Sequence, residues 1–368
     1  MVQTNFSYGE LEDIARKVGA GERLEAPDGV RLLKSNDLLA VGGLADLARR
    51  RKHGDKVYFI LNRHINHTNV CVNRCKLCAF GRDEGDPGAY TMSLDEVERK
   101  ALEFRGRNIS EIHIVGGLNE RLGLDYYKEM LRRVSRALPG VKIQSFTAVE
   151  VDYLAKSHHL PVEEVLRELM EAGLDSLPGG GAEVFSPRVR ELICPKKISG
   201  DRWLEVHEAA HRAGMRTNAT MLYGHVETYE ERVDHLIRLR ELQDRTDGFL
   251  TFIPLAFHPK NTQIDGSGGS GTTGYDDLKT LAVARLMLDN FDHVKAFWIM
   301  LGPKIAQVSL SFGVNDLDGT VEEEKIFHDA GAETSQRLAR EEIIRMIKAA
   351  GRIPVERDTL YNIIKVWE

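Results

Sequence analysis

The stretch CVNRCKLC, Cys71 to Cys78, sets three of the chain's four cysteines within eight residues, and the fourth, Cys194, lies far downstream. Cysteines this close together are poorly placed to staple distant loops, so no disulfide framework is indicated. A closed structural zinc site takes four ligands, and His64 or His67 could complete one. A thioredoxin-type pair leaves the third thiol unexplained. Soft thiolates suit iron–sulfur clusters, and three of them on a 4Fe–4S cluster leave one iron open. An open iron has little use in an electron carrier and good use in catalysis. The C-x3-C-x2-C spacing therefore predicts Cys71, Cys75 and Cys78 as metal ligands of a catalytic 4Fe–4S cluster.

Working outward, 368 residues at 42% hydrophobic content can bury a large core. The net charge of -6, with acids and bases interspersed, offers no basic stripe for nucleic acid. No run approaches the roughly eighteen apolar residues of a membrane span. MVQTNFSYGELEDIARK lacks the charged start and apolar middle of a secretory signal. The expectation is a soluble, cytoplasmic protein with neither nucleic-acid partner nor stable membrane association.

Helical patterns at YGELEDIARKVGAG and NDLLAVGGLADLARRRKHG come first, then a strand at KVYFILN (Lys56 to Asn62) ends before the cysteines. From there strand-like and helix-like segments alternate: SEIHIVGG, VKIQSFTAVE, LDSLPGGGAE, MRTNATMLYG and FLTFIPLAFHP each precede a helical pattern. KAFWIMLG and the region near GVND supply a seventh and an eighth strand, and LAREEIIRMIKAAG and TLYNIIKVW read as packing helices. This alternation predicts an α/β fold, a near-complete eight-stranded TIM-type (β/α) barrel, with chemistry at the C-terminal strand ends. The expected division is a helical extension over 1–55, the barrel over 56–320 and a C-terminal helical segment over 321–368. IDGSGGSGTTG (Ile264 to Gly274) reads as a mobile loop. HEAAH (His207 to His211) matches a zinc-hydrolase motif, but on an outer helix it is set aside.

With the barrel context, the cysteine loop resembles the radical S-adenosylmethionine (radical SAM) superfamily. The resemblance implies that the open iron chelates the amine and carboxylate of S-adenosyl-L-methionine (SAM). It also implies a low-potential electron donor such as flavodoxin or ferredoxin. Leu77 departs from the aromatic residue usual before the third cysteine. By the same resemblance, Gly116 and Gly117 of IVGG, Glu150 of TAVE, and Gly224 and Glu227 of YGHVE are cofactor-binding candidates on the SAM side.

The longer stretches RHINHTNVCVNRCKLCAFGR, GGLNERLGLDYYKEMLR, PGGGAEVF, NATMLYGHVET and LAFHPKNT look like the aminofutalosine synthases of the futalosine route to menaquinone. The cyclic dehypoxanthine futalosine synthases share several of them and remain the alternative. The synthase resemblance implies a small-molecule substrate, the enolpyruvyl benzoate ether 3-[(1-carboxyvinyl)oxy]benzoate, to which the 5′-deoxyadenosyl radical adds. Its two carboxylates call for cationic or amide donors, so Arg63, His64, Asn66 and Asn69 are substrate-binding candidates and Arg82 a catalytic one. Three successive glycines in PGGGAE point to backbone packed on a ligand, with Gly180 at the centre. Strand alternation sends some of Asn218, Thr220 and Tyr223 inward. His225 and His258 are acid–base candidates.

Overall fold

A computed structural model describes residues 8–264 and 271–368; most of the glycine-rich loop expected over Ile264 to Gly274 lies outside the described residues. Ten strands follow in chain order: β1 Lys56–Ile60, β2 Asn62–Ile65, β3 Glu111–Ile114, β4 Lys142–Ser145, β5 Thr217–Tyr223, β6 Phe249–Ala256, β7 His293–Val294, β8 Asp316–Gly319, β9 Ile353–Arg357 and β10 Ile363–Val366. They form three sheets, ordered β2-β3-β4, β5-β6-β7 and β10-β9-β1-β8. The first two are parallel throughout, as strand–helix alternation requires.

The expected eight-stranded barrel is corrected by this topology. The fold is α/β with small open sheets, and among the described residues no sheet closes. Local chemistry accounts for the gaps. The single strand expected over Lys56 to Asn62 breaks at Leu61, so β1 pairs with β8 and β9 while β2 pairs with β3. Ser176 and Leu177 make one bridge each, to Gln144 and Thr217, before Gly179 and Gly181 turn the chain away at φ of 31° and 82°. KAFWIMLG is not a strand: Trp298–Leu301 is helical, and only Lys295 bridges across, to Asp316. Single bridges set the sheets edge to edge without a ladder between them.

The C-terminal segment departs from the helical expectation as well. Helix Arg340–Ala349 forms, but β9 inserts beside β1 in parallel register and β10 folds back on it antiparallel. Within TLYNIIKVW no helix forms and Ile363–Val366 is a strand, as the extended preference of Ile363, Ile364 and Val366 favours. Helices elsewhere start where capping chemistry allows. Ser93 with Glu96, Thr147 with Glu150, and Thr228 with Glu231 each form a reciprocal capping box. Among the described residues no helix is long and apolar enough to cross a membrane.

The β9 insertion is tied down by a buried ion pair. Arg357 Nε donates to Asp316 Oδ2 at 2.8 Å, and the Tyr361 hydroxyl donates to the same oxygen at 2.8 Å. Replacing Arg357 by Met strands a buried carboxylate, so urea unfolding should show a loss of about 3–5 kcal/mol. Adding Asp316→Asn to that variant should recover part of it.

Candidate active site

Parallel register aligns Asn62 with Glu111, and His64 with His113 and Gln144. Successive side chains alternate across a sheet, so these residues share one face and Arg63, Ile65, Ile112 and Ile114 take the other. The first face lines a cavity of about 310 Å³. Its rim is made by loops at the C-terminal strand ends, carrying Cys71, Cys75, Cys78, Gly116, Gly117 and Gly180. Thr220 and Leu222 of β5, Ile253 and Leu255 of β6, and Lys295 and Asp318 complete the wall.

The cysteine loop is pinned at both ends. Cys71 N–H donates to Arg82 O at 3.0 Å and Arg82 N–H to Asn69 O at 2.8 Å. The Arg82 guanidinium donates to Ala79 O at 2.6 Å and Gly81 O at 3.0 Å, holding the loop's backbone. The glycine turn packs onto it: Gly117 N–H reaches Thr68 O at 2.9 Å and Val72 N–H reaches Leu118 O at 3.0 Å. A Cβ on Gly117 would lie 2.2 Å from Val70 O, so no other residue fits there.

All four cysteines are free thiols. Burial pushes Cys75 up to about 11, so it takes a negative charge only against a bound cation, which iron supplies. Gly81 N–H points at Cys78 Sγ at 3.4 Å. No three ligating groups among the described residues surround a single ion position. A cluster that gives each thiolate its own iron does not ask for that, and the three thiols on one cavity wall fit it.

Beside the thiols lie charges the sequence reading missed. Lys197 Nζ pairs with Glu183 at 2.5 Å, both side chains nearly buried, and the ammonium acts on Cys75 and Cys194. Cys194 itself is buried, with its thiol pushed up by burial. Glu150 accepts from Thr147 N–H at 2.6 Å through Oε2, while Oε1 has no partner and the residue lines the cavity. Burial raises its carboxyl to about 7.

Other candidates are engaged elsewhere. Arg63, on the far face, pairs with Glu322 and lies over the Phe104 ring. With Arg107, Arg337 and Arg340 it lines a separate surface cleft. Asn66 donates to Val115 O at 3.1 Å and Asn69 to Gly88 O at 2.9 Å, bracing loops. Glu227 accepts from Gly224 N–H at 2.6 Å, from His225 N–H at 2.9 Å and from Arg232 at 2.8 Å. Against the upward push of burial, the His225 ring first, then Arg232 and the Gly224 N–H, hold its carboxyl down to about 2. His225 is closed between Glu227 and Leu222 O, and His258 bonds Met300 O at 3.0 Å. Tyr223 faces away from the cavity and donates to Asp277 at 2.8 Å, whereas Thr220 lines the cavity and donates to Gly179 O at 2.6 Å. Asn218 is buried with Oδ1 unpartnered. His207 and His211 both bond the Thr217 hydroxyl at 2.8 Å, and Glu208 pairs with Arg212 and Arg245.

The cavity thus collects His64, Thr220, Gly180, Gly116, Gly117 and Glu150 from the sequence candidates. It adds Glu111, His113, Gln144, Glu183, Lys197, Lys295 and Asp318. The alternating polar positions in EIHI and KIQS were the available signal for His113 and Gln144. Lys197 and Lys295 carried none.

Three thiols on a loop at the C-terminal edge of a parallel sheet, opening on one cavity, define a radical SAM enzyme. Residues 65–239 match the radical SAM superfamily model, and residues 246–368 match that of the CofH/MqnC C-terminal region. The chain is 49% identical to aminodeoxyfutalosine synthase of Thermus thermophilus, over 97% of both chains. It is 44% identical to the enzyme of that name from Streptomyces coelicolor, over 98% of this chain and 95% of that one. It is 43% identical to 5-amino-6-(D-ribitylamino)uracil–L-tyrosine 4-hydroxyphenyl transferase of Methanopyrus kandleri, over 87% of this chain and 88% of that one. The fold resembles the crystal structure of methylornithine synthase (PylB), with a TM-score of 0.71 at 17% identity over 93% of this chain and 97% of that one. The chain belongs to the radical SAM superfamily and, within it, to the family of aminodeoxyfutalosine synthase.

Glu150 yields a pH prediction. Folded, it keeps its proton up to about pH 7, whereas its ordinary value is 4.5. The folded state therefore binds more protons across that window, and stability falls as pH rises through it. Thermal melts of the apoprotein should lose on the order of 3 kcal/mol between pH 4.5 and 7 relative to Glu150→Gln, which carries no such proton.

Proposed function

We propose that this chain is an aminodeoxyfutalosine synthase acting in menaquinone biosynthesis. The carrying observation is 49% identity extending over 97% of both chains. Cys71, Cys75 and Cys78 would hold the 4Fe–4S cluster, which when bound and reduced would supply the electron that cleaves SAM to methionine and the 5′-deoxyadenosyl radical. That radical adds to the CH2 carbon of 3-[(1-carboxyvinyl)oxy]benzoate. The aryl group migrates from oxygen to carbon, and the resulting oxygen-centred radical loses the enolpyruvyl carboxylate as the CO2 radical anion, giving closed-shell 6-amino-6-deoxyfutalosine. The electron spent on SAM cleavage leaves with that carbon and returns to the electron donor as CO2 forms.

The chain's residues bind, orient and exclude water. Lys197 and Glu183, opposite charges beside Cys75, match the zwitterionic methionyl group of SAM. Oε1 of Glu150 offers an acceptor free of protein partners at the same rim. Ile253, Leu255 and Phe297 give the aromatic ring an apolar wall and keep water from a radical. Arg82 holds the cluster loop through backbone carbonyls and acts as a positioning residue. A flavodoxin or ferredoxin would supply the electron in the cytoplasm.

Anaerobic incubation with SAM, a low-potential reductant and the enolpyruvyl benzoate ether, followed by mass spectrometry, should give one product containing both adenosine and benzoate. Free 5′-deoxyadenosine with a cyclised product from dehypoxanthine futalosine would instead assign the cyclase. Turnover of tyrosine with 5-amino-6-(D-ribitylamino)uracil would assign the transferase. The reconstituted protein should carry about four irons. Alanine at any of the three loop cysteines should abolish SAM cleavage, and cleavage by Cys71→Ala at the parent rate would overturn the ligand assignment.

A further inference from the structure

The end of the cavity away from the cysteines has its own chemistry. Asn62 and Glu111 start β2 and β3, and the His64–His113–Gln144 row lies two residues above them, about 7 Å along the strands. The His64 and His113 rings stack at 4.6 Å, and burial holds both imidazoles neutral. No hydrogen-bond partner among the described residues occupies the His64 ring nitrogens. Facing them, Lys295 Nζ donates to Asp318 Oδ1 at 2.7 Å, each side chain 7% exposed. One of the three ammonium N–H groups is thereby used, and two remain for a ligand. Glu111, the other acid at this end, is occupied by the Thr359 hydroxyl at 2.9 Å.

Resting on the function proposed above, we infer that Lys295 anchors the ring carboxylate of the benzoate ether, with the stacked His64–His113 pair beside it as co-donors. The new carbon–carbon bond forms at the vinyl CH2, which must face the cysteine end where SAM is cleaved. The ring then lies along Ile253, Leu255 and Phe297, and its carboxylate, unchanged by the reaction, points to the far end. Besides the two histidines, one arginine and two lysines line the cavity: Arg74, Lys197 and Lys295. Arg74 is committed within the cluster loop to Asp83 and Gly81 O, and Lys197 stands beside Cys75. Of these three cations, Lys295 is the one whose charge reaches His64 and His113, and Glu111 and Asp318 also act on His113. Asp318 fixes the direction of the ammonium when no substrate is bound, which makes it a positioning residue.

The test compares KM values for the benzoate ether and for the phenyl enolpyruvyl ether that lacks the ring carboxylate. Lys295→Met should raise KM for the benzoate ether about 100-fold and leave KM for the phenyl ether within about threefold. Lys295→Arg should restore most of the loss. Equal shifts for both ethers, or for neither, would overturn the assignment. Because the single change strands Asp318 in a buried setting, Lys295→Met/Asp318→Asn carries the comparison if the single variant does not fold, with iron content and melting temperature as the check. Should the unmodified enzyme turn over neither ether, the functional reading fails by itself. Calorimetric binding of the benzoate ether then still decides Lys295, weaker binding to the double variant supporting the anchor and equal binding refuting it.

Discussion

The contact between the Gly116–Gly117 turn and the backbone of Thr68 to Val72 governs where everything else in the site can lie. With no Cβ at residue 117, the turn comes within hydrogen-bonding distance of a loop that has no regular structure of its own. The loop thereby inherits the rigidity of β2 and β3, and its thiols are set at their C-terminal edge. Once that edge is fixed, the pleat decides which side chains look toward the thiols and how far away they are. A chain that must bring a radical to one carbon needs such a rigid reference, because small misplacements of reacting groups cost orders of magnitude in rate.

Parity along the strands separates neighbours in sequence into different roles. His64 enters the cavity while Arg63, one residue earlier, pairs with Glu322 behind the sheet. Thr220 and Leu222 look inward, and Tyr223 bonds Asp277 outside. The cluster ligands were legible because three thiols within eight residues carry their chemistry in local spacing. The alternation of strands and helices was legible for a similar reason, since hydrophobic periodicity is local. Closure of a barrel was not, because it depends on how many consecutive pairs each edge sustains, and the turn at Gly179 and Gly181 leaves only single bridges at Ser176 and Leu177. At the far end of the cavity His64 was a candidate, but Lys295 and Asp318 escaped because they meet it only through long-range contacts. Glu227 and His225 looked like ligand contacts in sequence and instead hold the turn after β5 together, since a carboxylate two residues from a backbone N–H readily closes on it.

The buried charges fall into two kinds, and the difference bears on function. Behind the cavity wall, Asp316 is engaged by Arg357, Tyr361 and the Asp318 N–H, and Glu227 by Arg232 and two backbone N–H groups. These anions are saturated and serve to join elements. On the cavity wall, Lys197–Glu183 and Lys295–Asp318 each pair one acid with one ammonium and keep further donors free. Removing two charges from water costs several kcal/mol per ion before pairing offsets it. A wall of apolar residues would avoid that cost, which is the physical ground for the ligand-binding roles proposed above for the two pairs. The same cavity is lined by Ile253, Leu255 and Phe297, so apolar wall and paired charges share one space. An open-shell intermediate formed in that space meets carbon and ordered donors on its walls. On the reading proposed above, the same layout that orients a dianionic substrate also limits what the radical can attack.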